Sequence, residues 1–290
     1  MTTVIIIINY NSSRETSKCL ESIYNNLDEE YEIICLDNGS TDKNERLIFQ
    51  ELKKSNNSRR TKFYTTKKNL GFAGGINYCL SYIRQKINSS NFYVWILNND
   101  ATIEQNTLRY LKEEFNEKVS LVGSLVLNPD GTIQDIHGYL NKHLGKVSTV
   151  RRFKKIKKHS KRTIIYPIGA SLLTTNYRLL KLGDFNENYF LYFEELDFVL
   201  KGIKLNYFPV ISYKSKIYHK QGASTGNKDD YFKKNLSTEQ YKLSGLVRLY
   251  KTHFPTMVYA AKLGLTLKLI KAILKCNMPL VRCILKTIKS

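Results

Sequence analysis

Residues 92–102 read FYVWILNNDAT: six apolar or aromatic residues run straight into two amides and a carboxylate. A run of that length, rich in β-branched and aromatic side chains, predicts a strand buried on both faces, as in the interior of a parallel sheet. Such a strand ending on Asn98, Asn99 and Asp100 carries its polar groups at the carboxyl end. In open α/β sheets that edge is where ligands bind.

Similar runs lie on either side. TVIIIIN (3–9), YEIICL (31–36), TKFYTT (61–66) and VSLVGSLVL (119–127) alternate with segments of helical periodicity. One segment carries Cys19, Leu20, Ile23, Tyr24 and Leu27; the other carries Ile76, Cys79, Leu80, Ile83 and Ile87. Strand then helix, repeated, predicts an α/β fold with a mostly parallel central sheet and helices on both faces. The strand ends NYN (9–11), DNGSTD (37–42), NLGFAGGIN (69–77) and NND (98–100) then converge on one edge. Past residue 127 the pattern changes. NPDGTIQDIHG (128–138) predicts a turn into a β-ribbon, RRFKKIKKHSKR (151–162) an exposed loop, and TIIYPIGASLLTTN (163–176) one further strand. FEELDFVLKGIKLN (193–206) predicts a helix ended by Gly202, and YFPVISYKSKIYH (207–219) a strand that finishes at His219.

At 290 residues, 42% hydrophobic and 24% charged, the chain can bury a sizeable core and is too apolar to be disordered. Its net charge is +21, yet residues 1–100 hold 13 Lys or Arg against 11 Asp or Glu, so nearly all the excess lies beyond residue 100. It concentrates at 151–162 and in Gln240–Ser290, which has ten Lys or Arg and no acid. A surface this basic asks for an anionic partner. No helix-turn-helix, RNP or zinc-finger pattern is present, which argues against nucleic acid. The five cysteines show no CxxC pair; Cys35 and Cys79 read as core residues, and nothing asks for an oxidising compartment. MTTVIIIINYN lacks a basic leader and a long apolar run, so it reads as a first strand and the protein as cytoplasmic.

Residues 236–290 read as a basic amphipathic helical tail. Lys268, Lys271, Lys275, Arg282, Lys286 and Lys289 fall at intervals of 3, 4, 7, 4 and 3, one stripe down a helix whose other positions are mostly aliphatic. The longest uncharged stretch there is ten residues, too short to span a bilayer. The tail is therefore expected to lie on an anionic membrane surface, peripheral on the inner face of the cell membrane, and to break into two helices at Pro279. The plainer alternative is a helical pair packed on the domain with its lysines solvated.

Singly, the strand-end motifs also have plain readings. DNGSTD can be a turn and a helix N-cap at Thr41 or Asp42, and GFAGG, which is not GxGxxG, can be close packing of a helix on a strand. In order and spacing, NYN, DNGSTD, NLGFAGGIN, LNND, GASLLTTN, FNENYFLYFEELDF and HKQGAS together resemble the family 2 glycosyltransferases of the GT-A fold, over residues 3 to about 226. The branch they resemble most is the bacterial rhamnosyltransferase-like enzymes, in which GFAGG.N and LN.D are typical.

The resemblance implies a catalytic domain over 1–235, with 1–127 as the nucleotide-sugar-binding half and 128–235 as the acceptor-side half. It implies that Asn9, Tyr10, Asn11 and Asp37 meet the nucleobase, Tyr10 by packing and Asp37 by accepting a pyrimidine N3–H. The loop from Asn69 through Gly71, Gly74 and Gly75 to Asn77 would approach ribose and diphosphate at a helix N-terminus. Asp100 matches the metal-binding carboxylate of the family's DxD motif, His219 matches the histidine that similar enzymes place on the metal, and Asn98 takes the first aspartate's place without its charge. The cofactor implied is a divalent cation, Mn or Mg, completed by donor phosphates, with the imidazole tilting preference to Mn.

The motif that usually reads Glu-Asp-x-Asp is here Glu194, Glu195, Leu196, Asp197. The resemblance makes Glu195 the base for the acceptor hydroxyl, with Glu194 and Asp197 in support, although Glu195 is one methylene longer than the usual aspartate and Glu194 stays open as the base. An acidic first turn stabilised by the helix dipole is the plain reading of the same residues. The activity implied is an inverting transfer from a nucleoside diphosphate sugar to a hydroxyl of a growing, lipid-linked cell-surface glycan. L-rhamnose or a similar deoxyhexose is the sugar implied; UDP-hexose, UDP-galactofuranose and UDP-N-acetylhexosamine are alternative donors. A nucleotidyltransferase would want a basic glycine-rich loop where this chain has NYNSSRE. A non-catalytic nucleic-acid binder is the more distant alternative.

Overall fold

The computed structural model describes residues 1–41, 48, 60–86, 91–155, 159–220 and 231–289, the side chains of 231–235 and 289 excepted. Asp42, Ile87, residues 156–158 of the basic run, the QGAS segment (221–224) and the side chain of Lys289 lie outside the described residues. The first half runs β1 (Thr3–Asn9), α1 (Ser13–Asn26), β2 (Tyr31–Asp37), β3 (Thr61–Thr65), α2 (Gly71–Lys86), β4 (Tyr93–Leu97), β5 (Ala101–Ile103), α3 (Thr107–Glu113) and β6 (Val119–Leu127). The second half runs β7 (Ile133–Asp135), β8 (His137–Asn141), β9 (Lys146–Val150), β10 (Thr163–Tyr166), β11 (Ser171–Thr175), α4 (Asn176–Leu182), α5 (Glu194–Lys204) and β12 (Phe208–His219). Three helices close the chain: α6 (Tyr231–His253), α7 (Val258–Leu274) and α8 (Met278–Lys289).

The main sheet has the order β3-β2-β1-β4-β11-β6-β12-β5, with β7 paired to β6. It is parallel from β3 through β4 and again between β6 and β12, while β11 lies antiparallel between β4 and β6, so the sheet is mixed. All seven residues of β1 are buried because its two faces feed two cores. Val4, Ile6 and Ile8 pack with Ile76, Leu80 and Ile83 of α2, whereas Ile5 and Ile7 pack with Cys19, Leu20 and Ile23 of α1. Each such aliphatic side chain contributes about 1.5–3 kcal/mol. The register sets Asn9 beside Asp37, and β4 on the other side of β1 carries its own end to the same edge.

Three expectations are corrected. TIIYPIGASLLTTN is two strands, since β10 joins a small sheet of order β10-β8-β9 and β11 joins the main sheet. Pro167 stands at the break, where its ring fills the space a side chain at position 123 would need, a Cβ on Gly123 falling 2.2 Å from the Pro167 Cβ. Gly202 does not end its helix: α5 continues to Lys204, and the glycine admits Ser120, whose Cβ would be 2.9 Å from an added methyl. The final helices part at Cys276, which has φ of 50°, and Pro279 sits in the first turn of α8, where a missing N–H costs nothing.

The closing helices share the principal core. Leu243, Leu246, Leu249, Tyr250, Ala260, Ala261, Leu265, Val281 and Ile284 belong to the same apolar cluster as Val4 and Ile6. Tyr250 donates to the Lys142 carbonyl at 2.6 Å, and the turn at Gly145 lies against the α7 backbone so closely that a Cβ there would be 2.2 Å from the Ala260 oxygen. Among the described residues, no helix is long and apolar enough to cross a membrane.

Candidate active site

At the carboxyl ends of β1 and β2, Asn9 donates to Asp37 Oδ1 at 2.8 Å and accepts from Thr16 at 2.8 Å; Ser40 donates to the same Asp37 oxygen. Asn9 and Asp37 are both buried. Asn99 donates to Ser12 at 2.6 Å and Thr16 at 2.9 Å, so the β4 end is tied to the start of α1. Asn11 adopts a left-handed φ of 50°, which sends its Oδ1 to the Thr41 N–H at 2.7 Å. Tyr10 stands half-buried between them.

The glycine loop is organised by Asn38. Its amide donates to Gly71 O at 2.9 Å and Asn69 Oδ1 at 3.1 Å and accepts from Leu70 N–H at 3.0 Å. Gly71 has φ of +76°, and a Cβ on it would fall 2.5 Å from the Phe190 carbonyl oxygen, so only glycine fits. Gly74 and Gly75 follow inside α2, where a Cβ on Gly75 would press on Asn38 and Ile8 at 3.3 Å. Asn77 points elsewhere: it donates to Phe185 O at 2.8 Å and Glu187 at 2.9 Å and braces α2 against that segment.

Across the edge, His219 Nε2 lies 3.0 Å from Asp100 Oδ1 and 3.3 Å from Asn98 Nδ2. His219 Nδ1 lies 2.8 Å from Gln134 Oε1. Gln134 spends its NH₂ on Asn128 Oδ1 at 3.0 Å and the His219 carbonyl at 2.9 Å, so its oxygen must accept and Nδ1 must carry the proton. With Nδ1 on Gln134, the imidazole turns Nε2 toward the Asp100 carboxylate, and a cation could be held by both groups. Two ligands at right angles, each about 2.1 Å from an ion, stand about 3 Å apart. The donor set fits a divalent cation. Among the described residues no cluster of three or more His, Cys, Asp or Glu forms.

The first turn of α5 carries the third group. Tyr192 (φ 70°) and Phe193 (φ 77°) are successive non-glycine residues in the left-handed region, a strain of about 1–3 kcal/mol each that turns Glu194 and Glu195 inward. Burial pushes Glu195 up to about 7; burial and then the charge of Glu195 push Glu194 well above the carboxylate range. Oε2 of each is buried without a hydrogen-bond partner among the described residues. Asp197 is different. Despite burial it is held below the usual carboxylate range by the hydrogen bond from His253 and by Lys201. The loop 168–170 links this turn to the cation pair: Asn98 N–H donates to Ala170 O at 3.0 Å, and a Cβ on Gly169 would be 3.9 Å from Glu195 Oε1.

The structure thus gathers Asn9, Asp37, Asn98, Asp100 and His219 on one edge and joins Glu195 to it through one loop, while Asn77 faces away. Asn38, Gln134 and His253 escaped the sequence reading. Asn38 lies inside DNGSTD and could have been found there; the other two act across the fold and leave no local signal. Lys268, placed in the basic stripe, instead pairs with Glu239 of α6.

A family model described as Glycosyl transferase family 2 matches residues 4–187. The low-salt glycan biosynthesis hexosyltransferase Agl10 of Haloferax volcanii is 22% identical over 207 residues, 70% of this chain and 62% of its own, so the match spans less than two thirds of that relative. Among solved structures, the mannosyltransferase PcManGT of Pyrobaculum calidifontis, in complex with GDP-Man and Mn2+, superposes with a TM-score of 0.60 at 13% identity, covering 98% of this chain and 73% of that one. GalNAc-T7 with UDP, GalNAc and Mn2+ superposes with a TM-score of 0.61 at 13% identity, covering 87% and 48%.

Proposed function

This chain belongs to glycosyl transferase family 2, and on that premise we propose that it transfers a sugar, with inversion, from a nucleoside diphosphate sugar to a hydroxyl of a lipid-linked glycan. The observation that carries the reading is the Asp100–His219 pair, with the imidazole tautomer fixed by Gln134 so that carboxylate and lone pair converge. Asp100 and His219 would hold a divalent cation, Mn or Mg, together with donor phosphates. When bound, it supplies charge neutralisation for the departing diphosphate.

The remaining roles belong to the chain's own groups. Asp37 and Tyr10 meet the base, with Asn9 and Asn11 beside them; Asn69, Leu70 and the α2 N-terminus at Gly71 face the diphosphate. Glu195 takes the proton of the acceptor hydroxyl as that oxygen bonds to the anomeric carbon, and the bond from that carbon to the diphosphate oxygen breaks on the opposite face. Burial and the charge of Glu195 favour the protonated form of Glu194 beside it. A base poised near 7 matches the task at neutral pH. The sugar we favour is L-rhamnose or a similar deoxyhexose, on the strength of GFAGG.N and LN.D.

In this reading residues 1–127 form the donor half, 128–235 the acceptor half and 236–290 the membrane-facing tail. Tyr259, Leu263, Leu267, Ile270 and Leu274 line one exposed face of α7 at helical spacing, opposite the packed Ala260, Ala261, Leu265 and Ala272. Exposed Lys262, Lys271, Lys275 and Arg282 flank them. An apolar face rimmed by cations fits an anionic lipid surface, where a lipid-linked acceptor would reside. The test is a panel of dTDP-, UDP- and GDP-sugars scored by release of the nucleoside diphosphate. Turnover of one donor class supports the reading, and turnover of none across the panel with Mn2+ contradicts it.

A further inference from the structure

The left-handed turn at Tyr192 and Phe193 does not hold itself: neither residue is a glycine, and φ is 70° and 77°. What holds it is α6. Tyr241, Gly245, Leu249 and His253 recur every four residues and so share one face of that helix. Tyr241 stacks on Phe190 with ring centroids 4.9 Å apart. Gly245 seats the Phe193 ring, which a Cβ there would meet at 2.7 Å, and Leu249 is fully buried. His253 Nε2 donates to Asp197 Oδ1 at 2.7 Å, with side-chain exposures of 2% and 0%, and Lys201 reaches the other oxygen at 3.2 Å. The same segment borders the glycine loop, since Phe72 N–H donates to Phe190 O at 2.8 Å.

We propose that this face of α6 is a positioning clamp for the carboxylate pair: Gly245 seats Phe193, His253 holds Asp197, and together they fix the first turn of α5 in which Glu194 and Glu195 stand. His253 is a positioning residue that acts through Asp197. The inference rests on the reading of Glu195 as the base. Because α6 leads directly into α7, it also makes the C-terminal helices a working part of the site, and not only its tether.

The test uses the full chain with Mn2+ and the most active donor of the panel, with kcat expressed per site that binds the released nucleoside diphosphate, so that unfolded protein does not count. His253→Leu is expected to lower kcat roughly 10- to 100-fold with donor KM changed less than about twofold, the cost of a misplaced group. His253→Gln keeps a donor at the Nε2 position and is expected to recover most of kcat. Gly245→Ala, which drives a methyl into the Phe193 ring, is expected to lower kcat in the same way and serves if His253→Leu does not fold. Wild-type kcat in His253→Leu or Gly245→Ala, with Glu195→Gln inactive, would overturn the clamp and leave the base in place. Wild-type kcat in Glu195→Gln would remove the base itself.

Discussion

His219 and Asp100 stand 119 positions apart in the chain and 3.0 Å apart in the fold, Nε2 to Oδ1. The antiparallel pairing of β12 with β5 sets His219 opposite Ala101, one residue past the carboxylate. Gln134 then decides which nitrogen faces it. Gln134→Ala frees the ring to rotate and change tautomer, and Mn2+ affinity measured by electron paramagnetic resonance in the presence of UDP should weaken by roughly 10- to 100-fold. Affinity equal to wild type would show that Gln134 does not orient a ligand.

Glu195 titrates near 7 because burial disfavours its charge. As the base it must be ionised, so kcat/KM should rise about tenfold per pH unit below that point and level above it. A profile already flat from pH 5 upward would mean that the base is a group of ordinary carboxylate acidity.

Glu194 gives a stability prediction of definite sign. Its folded pKa is raised above the unfolded value, so the folded state binds the extra proton; the associated stability is present at low pH and is lost as pH rises through the folded value. Glu194→Gln removes that dependence. Relative to wild type, its melting temperature should be higher at pH 8 than at pH 4.5, by a few degrees, at roughly 2–4 °C per kcal/mol. An offset independent of pH would contradict the buried, proton-holding assignment.

The exposed face of α7 predicts membrane binding that needs both its apolar and its basic residues. Replacing Leu267, Ile270 and Leu274 with Ser removes no packed contact in the core, since these side chains are 47%, 49% and 78% exposed. Partitioning onto equimolar phosphatidylglycerol–phosphatidylcholine vesicles should fall at least about tenfold, roughly 1.4 kcal/mol. Cosedimentation unchanged by the triple substitution would refute the lipid-facing assignment.

Much of this was legible in the sequence where the signal is local. The run through Trp95 announced a buried strand, and the strand ending at His219 was placed to the residue, because apolar runs ending on polar residues are read within a few positions. TIIYPIGASLLTTN misled because both halves are apolar and β-branched; only packing against Gly123 shows that the chain turns at Pro167 and changes sheets. Gly202 misled because its helix-ending propensity is overridden by the close approach of Ser120. Gln134 and His253 had no signature at all. Their partners lie 85 and 56 positions away, and an amide or imidazole becomes a positioning group only when the fold aims it at a carboxylate or a second imidazole. Lys268 looked like part of a solvent-facing stripe because periodicity cannot foresee an acid on a neighbouring helix, here Glu239.

The central claim is that Asp100 and His219 bring a divalent cation to a nucleotide-sugar donor. The most direct measurement is nucleoside diphosphate release by the wild-type chain and by Asp100→Asn, each with Mn2+ and with chelator. Turnover by wild type in Mn2+ alone, lost with chelator and reduced at least about a hundredfold in Asp100→Asn, is the result expected. Undiminished turnover in chelator, or by Asp100→Asn, would contradict it.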